Sequence, residues 1–379
     1  MTEVSAQALG ASDVLIVGGG LQGLSSALQL ARRGYRVRVL EADYCGRHAS
    51  GVNAGGVRTL GRHAEEIPLA LAARDRFWHH LPEFIGAECG FVASGQIKIA
   101  ENEAESSAAL ARIARLNALG FTHERWVGRE EARELVPRLA PHVAGGIWSA
   151  GDGYAVPYKV VTAFRRAAQA AGAHIHEATL ATRIERMGGV WRIYTRGGYY
   201  QAPSLVNAAG GWADEIARQT GDPVSLSAEG LMLMVTQRVP PFIRPVLGAM
   251  GRPLSFKQFD NGTVVIGGGL RGRADTVARR ATVETSAMKR SARTVLELFP
   301  FLRDAAIVRC WAGVEAVTPD QLPVIGTGGE GAGIVHAFGF SGHGFELSPI
   351  VGCIVADLIE HGRTPWPIAP FAIDRFAAG

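Results

Sequence analysis

The stretch "VGGGLQGLSS" at positions 17–26 places Gly18, Gly20 and Gly23 at a spacing suited to a dinucleotide, and an acid, Glu41, follows eighteen residues after the last of them. Gly18 permits a tight turn, Gly20 lets a pyrophosphate approach the backbone, and Gly23 lets the following helix pack closely on its strand. Leu21 and Gln22 open that helix, whose free N–H groups and positive dipole end favour phosphate. Glu41, with Ala42 beside it, can accept hydrogen bonds from a ribose diol. An acid there suits an unphosphorylated ribose, which leaves FAD or NAD.

The elements that must position these residues are legible around them. Residues 14–17 form a continuous apolar run, as expected of a parallel strand buried on both faces. Leu21, Leu24, Leu28 and Ala31 recur at helical spacing, with Gly34 as a stop. Residues 35–40 alternate as a second strand that delivers Glu41 at its end.

Three later clusters are also rich in bare backbone. "RHASGVNAGGVR" (47–58) leaves the C-terminal edge of the predicted parallel sheet, where ligands bind. Gly55 and Gly56 let a flat ring approach, and Ser50 and Asn53 can donate to phosphate or ring oxygens. Arg47 and Ala54 belong to the same loop. "SLVNAAGGWADEIARQ" (204–219) ends a strand in Ala208, Ala209 and Gly210, next to Trp212, and leaves either room for a cofactor or close strand–helix packing. "GFSGHGFELS" (339–348) starts a helix at Gly342, His343, Gly344 and Phe345, and its unpaired N–H groups point outward. A positive helix end suits a reduced flavin, which is negative near N1, better than a nicotinamide that becomes positive on oxidation. His343 either orients substrate and tunes the ring or is held structurally in the helix turn.

The 379 residues are 47% hydrophobic and 20% charged, an ordinary globular balance with room for two domains. A net charge of +4 with scattered arginines excludes a nucleic-acid partner. Cys45, Cys89, Cys310 and Cys353 lie far apart, which predicts reduced thiols in a cytoplasmic protein and no metal site. The first dozen residues lack a signal-peptide pattern, and no run reaches the roughly 18 to 20 apolar residues of a membrane span. Peripheral docking on the inner face of a membrane stays open. Helices are expected over 60–83, 102–119, 282–299 and 343–362, a strand over 95–100, and a hairpin turn at Asp260-Asn261-Gly262. From Leu226 the texture becomes antiparallel. The chain crosses between two domains more than once.

Together these clusters resemble the D-amino-acid oxidase superfamily of FAD-dependent oxidoreductases, nearest its sarcosine oxidase β-subunit, glycine oxidase and imino-acid dehydrogenase branch. "SGVNAGGVR", "LVNAAGGWADEIA", "WAGVEAVTPDQLPVIG" and "GFSGHGFELSP" carry the resemblance, in family order and across almost the whole chain. It implies an α/β fold: a discontinuous FAD-binding Rossmann-like domain of the glutathione-reductase type (1–82, 141–225, 306–379). An antiparallel β-sheet substrate-binding domain (83–140, 226–305) would cover the flavin. The implied cofactor roles fall on the glycines and loops already named, on Ala181 for adenine, and on Gly313. The implied chemistry is hydride transfer from the carbon beside a substrate amine to flavin N5, giving an imine that hydrolyses.

Departures from the family pattern matter. Glu315 stands where glycine and D-amino-acid oxidases place a carboxylate-binding arginine, and Glu346 where sarcosine oxidases carry a lysine. Arg58 and Arg62 are the remaining candidates for a carboxylate clamp, with Arg271 behind them; Arg62 is alternatively a surface helix residue. Glu346 is either a first-turn acid favouring the helix dipole or, with Glu315, part of a pocket that attracts a cationic substrate. Asn53 and Gly313 occupy the positions of covalent flavin attachment, so FAD is expected to be non-covalent. A strand lysine used by oxygen-consuming relatives is missing, which favours transfer to a quinone or a partner subunit. The alternative reading is a flavin-binding electron-relay or assembly subunit of a heteromeric dehydrogenase.

Overall fold

The computed structural model describes residues 7–329 and 333–376. Among these residues the apolar runs do form buried strands. Val14–Val17 lies between Ser204–Asn207 and Val37–Leu40 in a six-stranded sheet that His174–His176 and Ile334–Phe338 extend in parallel. Val324–Thr327 adds an antiparallel edge. Helices Leu21–Arg32, Pro157–Ala170 and Gly344–His361 cover the sheet. The first and last cross so closely that a Cβ on Gly352 would lie 2.6 Å from the Ser25 backbone. Ala8–Ala11, Gly198–Ala202, Val190–Thr195 and Arg183–Met187 make a separate four-stranded sheet.

A ten-stranded sheet forms the second layer. Its strand Gln96–Ala100 alternates, as period-two geometry requires. Ile97 and Ile99 join a core with Leu247, Phe256, Leu298 and Phe299. Gln96 and Lys98 line a cavity on the other face. The Asp260-Asn261-Gly262 turn joins Ser255–Gln258 to Val264–Gly267 in antiparallel register.

The structure departs from the sequence reading in two places. Gly145–Ser149 and Ile307–Val317, expected within the FAD-binding segments, both pair in the ten-stranded sheet. The helix expected over 60–83 begins only at Ile67–Ala72, then runs through a widened turn, Ala73–Phe77, and a tight one, Trp78–His80, before Leu81–Ile85. Pro82 has no N–H for the Trp78 carbonyl, which interrupts the α pattern. Residues 59–61 are held out of a helix by side chains: Asp152 accepts from the Thr59 and Leu60 amides at 2.9 and 3.0 Å, and Glu124 from Gly61 at 2.8 Å.

Candidate active site

A cavity of about 710 Å³ runs between the two sheets. Gly18 turns at φ +108, a conformation open to glycine, and a Cβ there would lie 2.3 Å from the Ala208 carbonyl. The Leu21 amide is held by Ser50 Oγ at 2.9 Å, which leaves the hydroxyl hydrogen free to donate. Glu41, at the end of its strand, accepts from the Gly19 and Asp43 amides at 2.6 and 2.9 Å and still faces the cavity. Gly56, Gly210 and Gly342 also line the cavity, and a Cβ on any of them would meet nothing within 4 Å. At Gly56 the bareness leaves space in the cavity, while Gly210 and Gly342 also turn at φ +56 and +88, which glycine adopts without strain.

Of the residues expected at a cofactor, Gly18, Gly20, Gln22, Glu41, Ala42, Arg47, Ser50, Asn53, Ala54, Gly56, Ala181, Ala208, Ala209, Gly210, Trp212, Gly342, Gly344 and Phe345 line this cavity. Leu21 is buried in the helix core. Gly23, Gly55 and Gly313 are bare for packing: their Cβ positions fall 2.0 Å from Gly18 O, 2.0 Å from Ala155 O and 2.5 Å from Val52 Cγ2. Asn53 lines the cavity but is no free donor. Its amide nitrogen donates to the Ala49 and Ser50 carbonyls at 2.9 and 2.7 Å, and its oxygen accepts from the Gly55 amide at 2.6 Å.

The expected catalytic residues separate into two groups. Arg62 and Glu346 are 1% and 0% exposed and bind each other, Arg62 Nη2 donating to Glu346 Oε2 at 2.6 Å. Neither lines the cavity, so Arg62 offers no clamp and Glu346 no attraction for a substrate cation. Burial pushes the Glu346 carboxyl up to about 8, against the pull of Arg62. His343 is also off the cavity wall, its Nδ1 facing Glu66 at 2.9 Å. Burial, with Arg62 nearby, pushes its pKa down to about 3, so the ring is neutral at neutral pH and its Nδ1–H donates a hydrogen bond to the Glu66 carboxylate. The reading of His343 as a structural residue of the helix turn fits this placement.

Arg58 and Glu315 do line the cavity. Arg58 makes no ion pair among the described residues; burial and the Arg62 charge depress its pKa to about 10, which leaves it a cation. Beside it, and without a sequence signal beyond its place in a strand, is Lys98, also without an ion-pair partner among those residues and also lowered by burial and Arg58. Gly248 stands opposite Lys98 in the neighbouring strand and leaves room for its stem. On another part of the wall, Glu315 accepts from Arg271 Nη1 at 2.7 Å, and Glu229, opposite Glu315 in register, pairs with the same arginine. Burial raises the Glu315 pKa, and Arg271 only partly reverses it. Two carboxylates thus share one guanidinium, which rules out Arg271 as a free carboxylate clamp.

A family model described as FAD dependent oxidoreductase matches residues 13–358. The chain belongs to that family. It is 31% identical over 374 residues to glycine oxidase of Geobacillus kaustophilus, covering 96% of this chain and 97% of the relative. The crystal structure of that organism's glycine oxidase superposes with a TM-score of 0.89 at 28% identity, over 96% of this chain and 99% of the other. L-proline dehydrogenase from P. horikoshii gives 0.89 at 26% identity, over 97% and 98%. A subunit of the opine oxidase of Rhizobium meliloti is 28% identical over 376 residues, 97% of this chain and 98% of that one.

FAD is therefore the cofactor of this oxidoreductase, and the residues present fit it. The open glycines at 56, 210 and 342 line the cavity, Glu41 faces it at the end of its strand, and Gln22 Oε1 and His48 Nε2 are buried without hydrogen-bond partners among the described residues. Among the described residues no group of side chains could hold a metal ion, and no helix is long and apolar enough to cross a membrane.

Proposed function

We propose that this chain oxidises the C–N bond of an amino acid or secondary amine, taking hydride from the carbon beside the nitrogen and releasing an imine that hydrolyses in water. One observation carries the reading: the cavity that fits FAD also presents two cations, Arg58 and Lys98, that pair with no anion among the described residues. Bound FAD supplies the two-electron acceptor. Arg58 and Lys98 hold the substrate carboxylate by charge-assisted hydrogen bonds and so fix the neighbouring carbon. Segment 58–62 is rigid enough for this, because Asp152, Glu124 and the Arg62–Glu346 pair pin it from behind. Leu231, Leu233, Val246 and Phe345 line the same cavity and exclude water, which strengthens each charge interaction. The lone pair of a neutral amine becomes the C=N bond as hydride leaves, so no side chain has to take a proton in that step, and the iminium formed gives up its N–H proton to water as the imine.

Titrating the anaerobic holoenzyme with glycine, proline and N-alkyl amino acids tests the reading. At least one of them is expected to bleach the yellow flavin band, more slowly in Arg58→Met and Lys98→Met. The full-length similarity to a protein named as an oxidase subunit supports a second reading, a subunit that relays electrons within a complex. A lone chain whose flavin no member of the panel reduces would favour that reading over the first.

A further inference from the structure

The hairpin Arg271–Asp275 and Arg280–Thr282 extends from the ten-stranded sheet, and its tip comes down on the dinucleotide end of the cavity. Two contacts fasten it there. Trp212 Nε1 donates to the Thr276 carbonyl at 2.9 Å, and the Arg279 guanidinium lies 4.0 Å from the centre of the Trp212 ring. His48 packs on the same indole, with ring centres 4.8 Å apart.

Arg279 is unusual in three ways. Its backbone is left-handed, φ +51, in a residue with a side chain. Its Nε is buried without a hydrogen-bond partner among the described residues. Arg279 lines the cavity alongside Glu41, Arg47, Trp212 and Glu215, yet among the described residues it pairs with none of the nearby carboxylates. The indole covers one face of the guanidinium, while its planar fork of donors stays uncommitted and is suited to phosphate oxygens. A surface clasp would not require a buried donor left empty at the mouth of a dinucleotide groove.

We propose that Arg279, carried on a hairpin of the ten-stranded sheet, is a cofactor-binding residue that closes over the adenosine-diphosphate half of FAD with Trp212 as its support. The fold of the first layer supplies backbone N–H groups to the dinucleotide from one side. Arg279 supplies a cation from the other, so the cofactor joins the two layers and cannot leave without lifting the hairpin.

The test is the rate of FAD release from the holoenzyme, followed by the rise in free-flavin fluorescence, with apo-protein melting measured in parallel. Arg279→Met is expected to release FAD about tenfold to a hundredfold faster, as for a lost hydrogen bond to a charged group. The difference should narrow as salt rises. Arg279→Gly adopts the left-handed backbone without strain, so it keeps the fold while removing the guanidinium. It too must release FAD faster, with an apo-protein at least as stable as the parent. Unchanged release in Arg279→Gly overturns the proposal, and so does a loss of apo-protein stability in Arg279→Met with release unaltered, which would leave Arg279 a structural clasp.

Discussion

The two layers that meet at the cavity are built on opposite principles. The six-stranded sheet and the segments that leave it present backbone: Gly18, Gly20, Gly56, Gly210 and Gly342 line the cavity, and polar side chains there, such as Asn53 and Glu41, are already bonded to nearby amides. The ten-stranded layer presents side chains, among them the cations Lys98 and Arg279, neither with an ion-pair partner among the described residues; deeper and off the cavity wall, Lys257 is 1% exposed and also without a hydrogen-bond partner among them. A nucleotide is the same in every reaction of such a family and can be met largely by main chain, with Arg279 as the proposed side-chain exception. A substrate is met by side chains such as Lys98, which can be exchanged without disturbing the backbone contacts to the nucleotide.

That contrast can be broken. The largest effect is expected from Gly18→Ala, where a single methyl faces the Ala208 carbonyl at 2.3 Å in a backbone conformation that costs other residues roughly 1–3 kcal/mol. The purified variant should lose most of its flavin, read from the ratio of visible to ultraviolet absorbance; a fully loaded variant would contradict the backbone account. Next come Arg58→Met and Lys98→Met, each expected to lower kcat/KM for carboxylate-bearing substrates roughly tenfold to a hundredfold while keeping FAD. Loss of FAD together with activity would blur the division between the layers.

Lys257 sharpens the comparison through stability. Its ammonium sits 5.1 and 5.6 Å from the centres of the Tyr154 and Phe259 rings, and burial lowers its pKa from 10.5 to about 7. The unfolded chain therefore holds the proton more tightly, so the contribution of Lys257 is least favourable at pH 7 and below and recovers as pH rises toward 10.5. Lys257→Met is expected to stabilise the protein by roughly 1–4 kcal/mol at pH 7, with the gain shrinking by pH 10 in denaturant titrations. A gain independent of pH would mean that the lysine is not buried as a strained cation. The smallest effect is expected from Glu315→Gln, a change of a few-fold in preference between neutral and cationic side chains, since Arg271 keeps Glu229 as its second partner. Equal preference in both proteins would remove Glu315 from substrate selection.

The nucleotide half was legible because its signals are local. Apolar runs, helical spacing, glycines that demand positive φ and an acid at a strand end all depend on neighbours within about thirty residues. The charges were not, because an arginine or a glutamate takes its role from whatever faces it. Arg62 and Glu346 lie 284 positions apart and are buried against each other. Lys98 reads in the sequence as one more strand residue, and Arg279 as one more scattered surface charge. Their partners, their burial and their access to the cavity come from the packing of one layer on the other, a long-range arrangement that no short window of residues encodes.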